Sequence, residues 1–171
     1  VKFKDLYEDA ETGQVGGSVP GGSYDVVVSG ARTLPDSSLI FLSLTTLNGP
    51  TAGTEVDVSL YFPGEGSKRG ARIFFAKKIA GFVSYPDVKG AFMAADGAPD
   101  LASGLQLIAD ALGGKRVTAE ITLRTEGEYA GSNELRSTKP LEAGATPTQA
   151  APAQPAEAAA PAAAATGGVP F

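Results

Sequence analysis

The stretch Ser38 to Phe62, SLIFLSLTTLNGPTAGTEVDVSLYF, carries two alternating apolar patterns around a break rich in glycine and proline. In the first half Ile40, Leu42 and Leu44 alternate with Leu39, Phe41, Ser43 and Thr45. In the second, Val56, Val58, Leu60 and Phe62 alternate with Asp57, Ser59 and Tyr61. A period of two sends successive side chains to opposite faces, so each half predicts a strand with one apolar and one mixed face. The apolar faces are expected to build a core. The mixed faces carry one large ring each, Phe41 and Tyr61, among small polar residues. Asn48, Gly49, Pro50 and Gly53 supply the turn chemistry of a hairpin loop longer than two residues.

Before this hairpin, Tyr24 to Ala31 (YDVVVSGA) reads as a first strand, and Arg32 to Ser37 turns the chain into the second. Residues 1–22, acidic at Asp5, Glu8, Asp9 and Glu11 and then glycine-rich, read as a flexible arm. After Phe62 the apolar period lengthens. Ala71, Phe75, Ile79 and Phe82 recur at helical spacing, and Lys68, Arg69, Arg72, Lys77 and Lys78 make the other side of that helix basic. Phe74 and Phe75 are expected to pack the helix. A short segment, residues 84–99, leads to a second helix capped by Asp100, with Leu101, Leu105, Ile108 and Leu112 on one face and Gly113-Gly114 at its end. Residues 115–125 (KRVTAEITLRT) alternate as a fourth strand, residues 126–132 form a turn bearing Tyr129, and residues 133–141 form a short fifth strand. From residue 142 the chain is rich in alanine and proline. Pro147, Pro152, Pro155 and Pro161 interrupt any helix, so residues 142–171 read as a disordered tail ending in Val169-Pro170-Phe171.

The chain of 171 residues therefore resolves into an arm, one domain over residues 23–141, and the tail. With 14 basic and 19 acidic residues it lacks a uniformly basic coat, so nucleic-acid binding would rest on a local patch. It contains no cysteine, histidine or tryptophan, which removes disulfides, Cys- or His-based zinc sites and His-based acid–base catalysis. Asp57 and Glu120 are carboxylates that could hold a metal, but polar strand faces routinely carry such residues; the expectation is no enzyme, no cofactor and no metal. No apolar run has the length of a membrane span and the first residues lack a signal-peptide core, so a cytoplasmic protein without a membrane partner is expected.

Mainly β with a helical insert, an α+β arrangement of five short strands with helices between the third and fourth, is the element order of the OB-fold, a five-stranded barrel. That barrel binds ligands over strands 2 and 3, between the loops joining strands 1 to 2 and 4 to 5. Here those places carry Phe41, Tyr61, Arg32 and Tyr129. Phe41 has two readings at this stage, a stacking ring or a ring packed under the helical insert.

The runs PGGSYDVVV, LIFLSLTTLNGPTAGTEV, SKRGARIFFAKKIAGF and LGGKRVTAEI, spread over residues 20–141, resemble a family of phage-encoded single-stranded-DNA-binding proteins. The features are the family's Pro-Gly-x-Tyr lead into the first strand, here spaced by one residue more as Pro20-Gly21-Gly22-Ser23-Tyr24, the Gly-Pro-x-x-Gly turn after the second, the helix after the third, and the glycine and basic residue before the fourth. The resemblance implies an OB-fold that coats single-stranded DNA in replication, recombination or repair. The Pro-Phe tip is similar to that of bacterial single-stranded-DNA-binding proteins, which docks replication and repair partners. Here Gly167-Gly168 replace the acidic residues usual in that tip.

Single strands are held by cations along the phosphates and by rings under the bases. The candidate DNA-binding residues are Arg32, Phe41, Tyr61, Lys68, Arg69, Arg72, Lys77, Lys78, Lys115, Arg116, Arg124, Tyr129 and Arg136, with Lys139 a further cation; the candidate partner-binding residues are Val169, Pro170 and Phe171. The alternative function is a structural or assembly protein of a virion that uses the β-rich domain for packing. Such a protein would self-associate with or without DNA. The oligomeric state is left open.

Overall fold

The central hairpin forms as its alternation dictates. In the computed structural model, which describes residues 17–141, β2 (Leu39–Thr46) pairs antiparallel with β3 (Glu55–Tyr61), with Ile40 opposite Leu60 and Leu44 opposite Val56. Those four side chains, with Leu42 and Val58, are buried, while Phe41 is half-buried and Tyr61 is exposed. Gly49 and Gly53 hold φ values of 75° and 84°, a left-handed backbone open to glycine at no steric cost.

Strand β1 (Gly22–Thr33) lies in the middle of the sheet, with β4 (Arg116–Leu123) and then β5 (Asn133–Pro140) on its other side. The order is β3-β2-β1-β4-β5, and every neighbouring pair is antiparallel. The register slips once in β1, between Val28 and Gly30, and once in the β4–β5 pair beside Glu120. Such bulges bend strands and increase twist. The sheet curls into a half-barrel, and its outer strands β3 and β5 come near each other.

The start of the described chain enters this gap. Val19 is 1% exposed and belongs to the core; its backbone N–H donates to Asn133 Oδ1 at 2.9 Å, and Asn133 Nδ2 donates to its carbonyl at 2.8 Å. The boundary read from the sequence, an arm over residues 1–22, therefore shifts. Val19 is structural and β1 begins at Gly22, while residues 1–16 lie outside the described residues, as do residues 142–171 with the predicted disordered tail.

Three helices fill the segment between β3 and β4: α1 (Arg69–Ile79), α2 (Pro86–Ala95) and α3 (Leu101–Leu112), with a 3-10 turn at Phe82–Ser84. Helix α3 packs on β1 through Leu105, Ile108 and Leu112, and Asp100 caps it by accepting from the Ser103 N–H at 2.7 Å. Leu101, read as part of that face, is instead exposed in the first turn. Helix α2 occupies residues read from the sequence as a short irregular segment. Pro86 stands in its first turn, where a missing N–H costs nothing, and Val88, Phe92 and Ala95 turn inward at helical spacing.

Helix α1 ends earlier than its apolar period implies, and Ala71 is exposed. Phe82, read as its last inward residue, lies fully buried in the 3-10 turn. Gly81 between them is obligatory, because a Cβ there would stand 2.7 Å from the Lys139 carbonyl. Among the described residues, no helix is long and apolar enough to cross a membrane.

Candidate nucleic-acid interface

The outer face of the β2–β3 hairpin and the β4–β5 turn meet across a cleft of about 450 Å³, lined by Leu39, Phe41, Asp57, Ser59, Arg124, Tyr129, Ser132, Asn133 and Glu134 among others. Alternation puts Leu39, Phe41, Asp57 and Ser59 on this face, opposite the core residues of the same strands. Positive φ at Gly127 and Gly131 shapes the β4–β5 turn, and Tyr129 at its tip is 61% exposed. Backbone bonds from Arg124 N–H to the Ser132 carbonyl and from Gly131 N–H to the Arg124 carbonyl close the turn and fix Arg124 at its base.

Each ring at this cleft has a cation beside it. The Arg32 guanidinium stands 5.3 Å from the Phe41 ring centre, as expected from their adjacent places in the β1–β2 register, and Arg124 stands 5.8 Å from that of Tyr129. Tyr61 pairs with Leu39 on the same outer face and is 58% exposed. The alternative reading of Phe41, a ring hidden beneath the helical insert, does not hold, because Phe41 lines an open cleft. Arg32, Phe41, Tyr61, Arg124 and Tyr129 are thus brought to one side of the sheet.

Arg136 joins them through β5. Its Nε donates to Thr122 Oγ1 at 3.2 Å, and its Nη2 lies 3.6 Å from Glu134 Oε2; Arg124 Nη2 lies 3.5 Å from the same oxygen. Lys78 approaches the other oxygen, Oε1, at 3.8 Å. It is held there because the buried Thr138 hydroxyl donates to the Lys78 carbonyl at 2.8 Å and accepts from the Gly81 N–H at 2.9 Å, tying the end of α1 to β5. The sequence puts Lys78 on a solvated basic face, and here the structure corrects it: Lys78 is buried. Burial holds its ammonium below the usual lysine range, with Arg136 and Arg124 adding to that effect and Glu134 opposing it.

The two phenylalanines of α1 part company. Phe75 packs with Phe62 and Phe92 at centroid distances of 4.5 and 6.5 Å, whereas Phe74 is partly exposed, with Lys78 4.4 Å and Arg136 5.8 Å from its ring centre. Lys68, just before α1, and Arg69, Arg72 and Lys77 on it are exposed, and none of them takes part in an ion pair among the described residues.

Lys115 and Arg116 stand apart. Lys115 precedes β4 and Arg116 opens it, whereas Arg124 follows its end, and eight residues of strand span roughly 26 Å. Lys115 is also bound to Asp87, whose carboxyl it holds below the usual carboxylate range, and lies over the Tyr85 ring. Lys139 lines a different depression, over β1, β4 and β5, together with Asp25 and Glu120.

Asp57 accepts from Ser43 Oγ and Glu120 from Ser137 Oγ; they sit on β3 and β4, with two strands between them. Among the described residues, no group of three or more acidic side chains is placed to hold a metal ion. The tip residues Val169, Pro170 and Phe171 lie outside the described residues. Sequence reasoning misses Glu134, whose meaning comes from the β4–β5 register that sets it opposite Thr122. Comparison with protein-family models and with curated proteins found no match to this chain.

Proposed function

We propose that this protein binds single-stranded DNA without strong sequence preference and performs no chemistry on it, using an OB-fold whose ligand face is the outer side of β2 and β3. The observation that carries the reading is the convergence of Phe41, Tyr129 and Arg124 on one open cleft, with Arg32 beside the Phe41 ring. A ring offers any base a face to stack on, and a flanking guanidinium meets the phosphate beside it. The strand order β3-β2-β1-β4-β5, with helices inserted between β3 and β4, is compatible with an OB-like barrel and supports the same face. Asp57 in the cleft and the net charge of −5 work against a polyanion and limit affinity, while the cations that meet phosphates make binding weaken as salt rises.

The cell function that follows is coating single strands during replication, recombination or repair, in the cytoplasm of a host cell if the protein is phage-encoded. The Val169-Pro170-Phe171 tip then serves to dock replication or recombination proteins. Titration of labelled oligothymidine at low and moderate salt tests the reading. Saturable binding that weakens with salt is expected, and no binding in either condition overturns it. Size measurement with and without the oligonucleotide separates it from the virion-assembly alternative, which requires assembly irrespective of DNA.

A further inference from the structure

Glu134 is surrounded by more positive charge than it can neutralise. Lys78, Arg124 and Arg136 all turn toward its one carboxylate, at 3.8, 3.5 and 3.6 Å, and none of the three donates a hydrogen bond to it. Both guanidiniums point at the same oxygen, Oε2. At 3.5 and 3.6 Å neither guanidinium reaches the roughly 2.7–2.9 Å of a charge-assisted hydrogen bond to it, so among the described residues the Nη2 donors of Arg124 and Arg136 remain open. Nor are these side chains loosely placed. Arg136 is held through Nε by Thr122, Arg124 leaves the end of β4 beside the Tyr129 ring, and Lys78 is buried under Phe74. The cluster opens on the cleft, because Arg124 and Glu134 both line it.

We propose that this cluster is a phosphate subsite in which the Glu134 carboxylate is the resident stand-in: a backbone phosphodiester takes the Nη donors of Arg124 and Arg136, and Glu134 is left with Lys78. The chemistry fits because a tetrahedral phosphate presents separate oxygens to the two forks, which one carboxylate oxygen cannot. Glu134 thereby acts as a positioning residue and an internal competitor. It keeps two like charges side by side when no strand is bound, and it lowers affinity by having to be displaced. This rests on the proposed single-strand reading for the source of the phosphate, whereas free polyphosphate would share the same chemistry.

The experiment compares the whole parent chain with Glu134→Gln and Arg136→Gln, using labelled oligothymidine over a salt series and, separately, inorganic pyrophosphate followed by thermal shift. Glu134→Gln is expected to tighten oligothymidine several-fold and to steepen the salt slope by about 0.7, the contribution of one phosphate on a single strand; Arg136→Gln is expected to flatten it by about the same amount. If the parent binds oligothymidine but Glu134→Gln leaves affinity and slope unchanged or weakens them, the subsite is overturned and the cleft reading stands. If no protein binds oligothymidine but pyrophosphate stabilises Glu134→Gln more than the parent, the subsite stands and its ligand is a free polyphosphate. Silence of both probes overturns both. Should Glu134→Gln fail to fold, Arg124→Gln replaces it, and an unchanged slope in that variant and in Arg136→Gln overturns the subsite.

Discussion

Two depressions flank the β1–β2 corner, and they differ in chemistry more than in shape. The cleft between the β2–β3 hairpin and the β4–β5 turn is about 450 Å³ and mixes the rings of Phe41 and Tyr129 with Arg124, while Arg32 flanks Phe41. The groove between the β1–β2 loop and helices α2 and α3 is larger, about 750 Å³, and is lined by Leu34, Pro35, Ala98, Pro99, Ala102 and Leu107 among others, with no lysine or arginine. Its chain neighbours Asp36, Asp96 and Asp100 are all exposed carboxylates. Space alone therefore does not select a site for a polyanion. The smaller depression has the cations, and the larger one presents apolar surface beside negative charge.

The sharpest way to break this contrast is to remove the rings. Phe41→Ala and Tyr129→Ala are each expected to cost about 1–3 kcal/mol of oligothymidine affinity, roughly 5- to 150-fold, nearly independent of salt. Leu107→Ala in the other groove is expected to change nothing in the same titration. A loss from Leu107→Ala with none from Phe41→Ala would show that the two depressions had been assigned the wrong way round.

A smaller effect separates charge from stacking. Arg32→Gln, beside Phe41, is expected to flatten the plot of log affinity against log salt by about 0.7. An unchanged slope would leave Arg32 as a partner of the ring alone.

Stability measurements come next. Lys78 enters the fold with its pKa lowered from 10.5, chiefly by desolvation. The folded state therefore binds that proton less tightly than the unfolded one, and at neutral pH it bears the cost of burying a charge. Stability gained from this group rises only as pH climbs from the lowered value toward 10.5. Lys78→Met leaves Glu134 with two arginines and is expected to raise Tm at pH 7 by about 2–4 °C, an advantage that shrinks in alkaline solution. Thermal melts at pH 7 and pH 10 check this, and a lower Tm at pH 7 would show that the ion pair outweighs its desolvation.

The smallest effect belongs to Asp100, whose carboxyl is held below the usual range by the Ser103 N–H. A carboxylate with a depressed folded pKa stabilises above its unfolded pKa and loses that contribution as pH falls through the folded one. Asp100→Ala is expected to lower Tm slightly at pH 7, and the difference should vanish in strong acid. A Tm gap that persists there would mean that the cap does not act through its charge.

What could be read in the sequence was what depends on local pattern. Ile40, Leu42, Leu44, Val56, Val58 and Leu60 fall inward as their period requires, and Asp100 caps the helix that its position announces. Helix α2 escaped because Pro86 and Gly90 look like breakers, although proline in a first turn breaks nothing. For the site, Phe41, Tyr129 and Arg124 were visible as types but not as neighbours. Burial of Lys78 depends on Thr138, sixty positions away along the chain. The helical period picks out Phe75, which Phe62 and Phe92 draw in, but it does not show that Phe74 stays partly exposed beside Lys78 and Arg136.

The clasp that Asn133 makes on both polar groups of the Val19 backbone has a practical consequence for anyone trimming the polypeptide. A side-chain amide there imitates one rung of strand pairing, and the isopropyl group it anchors plugs the mouth of the half-barrel. Shortened versions that begin at Tyr24, where the first strand looks complete on paper, would leave that plug out and open the interior to water, whereas versions beginning at Gly17 would keep it.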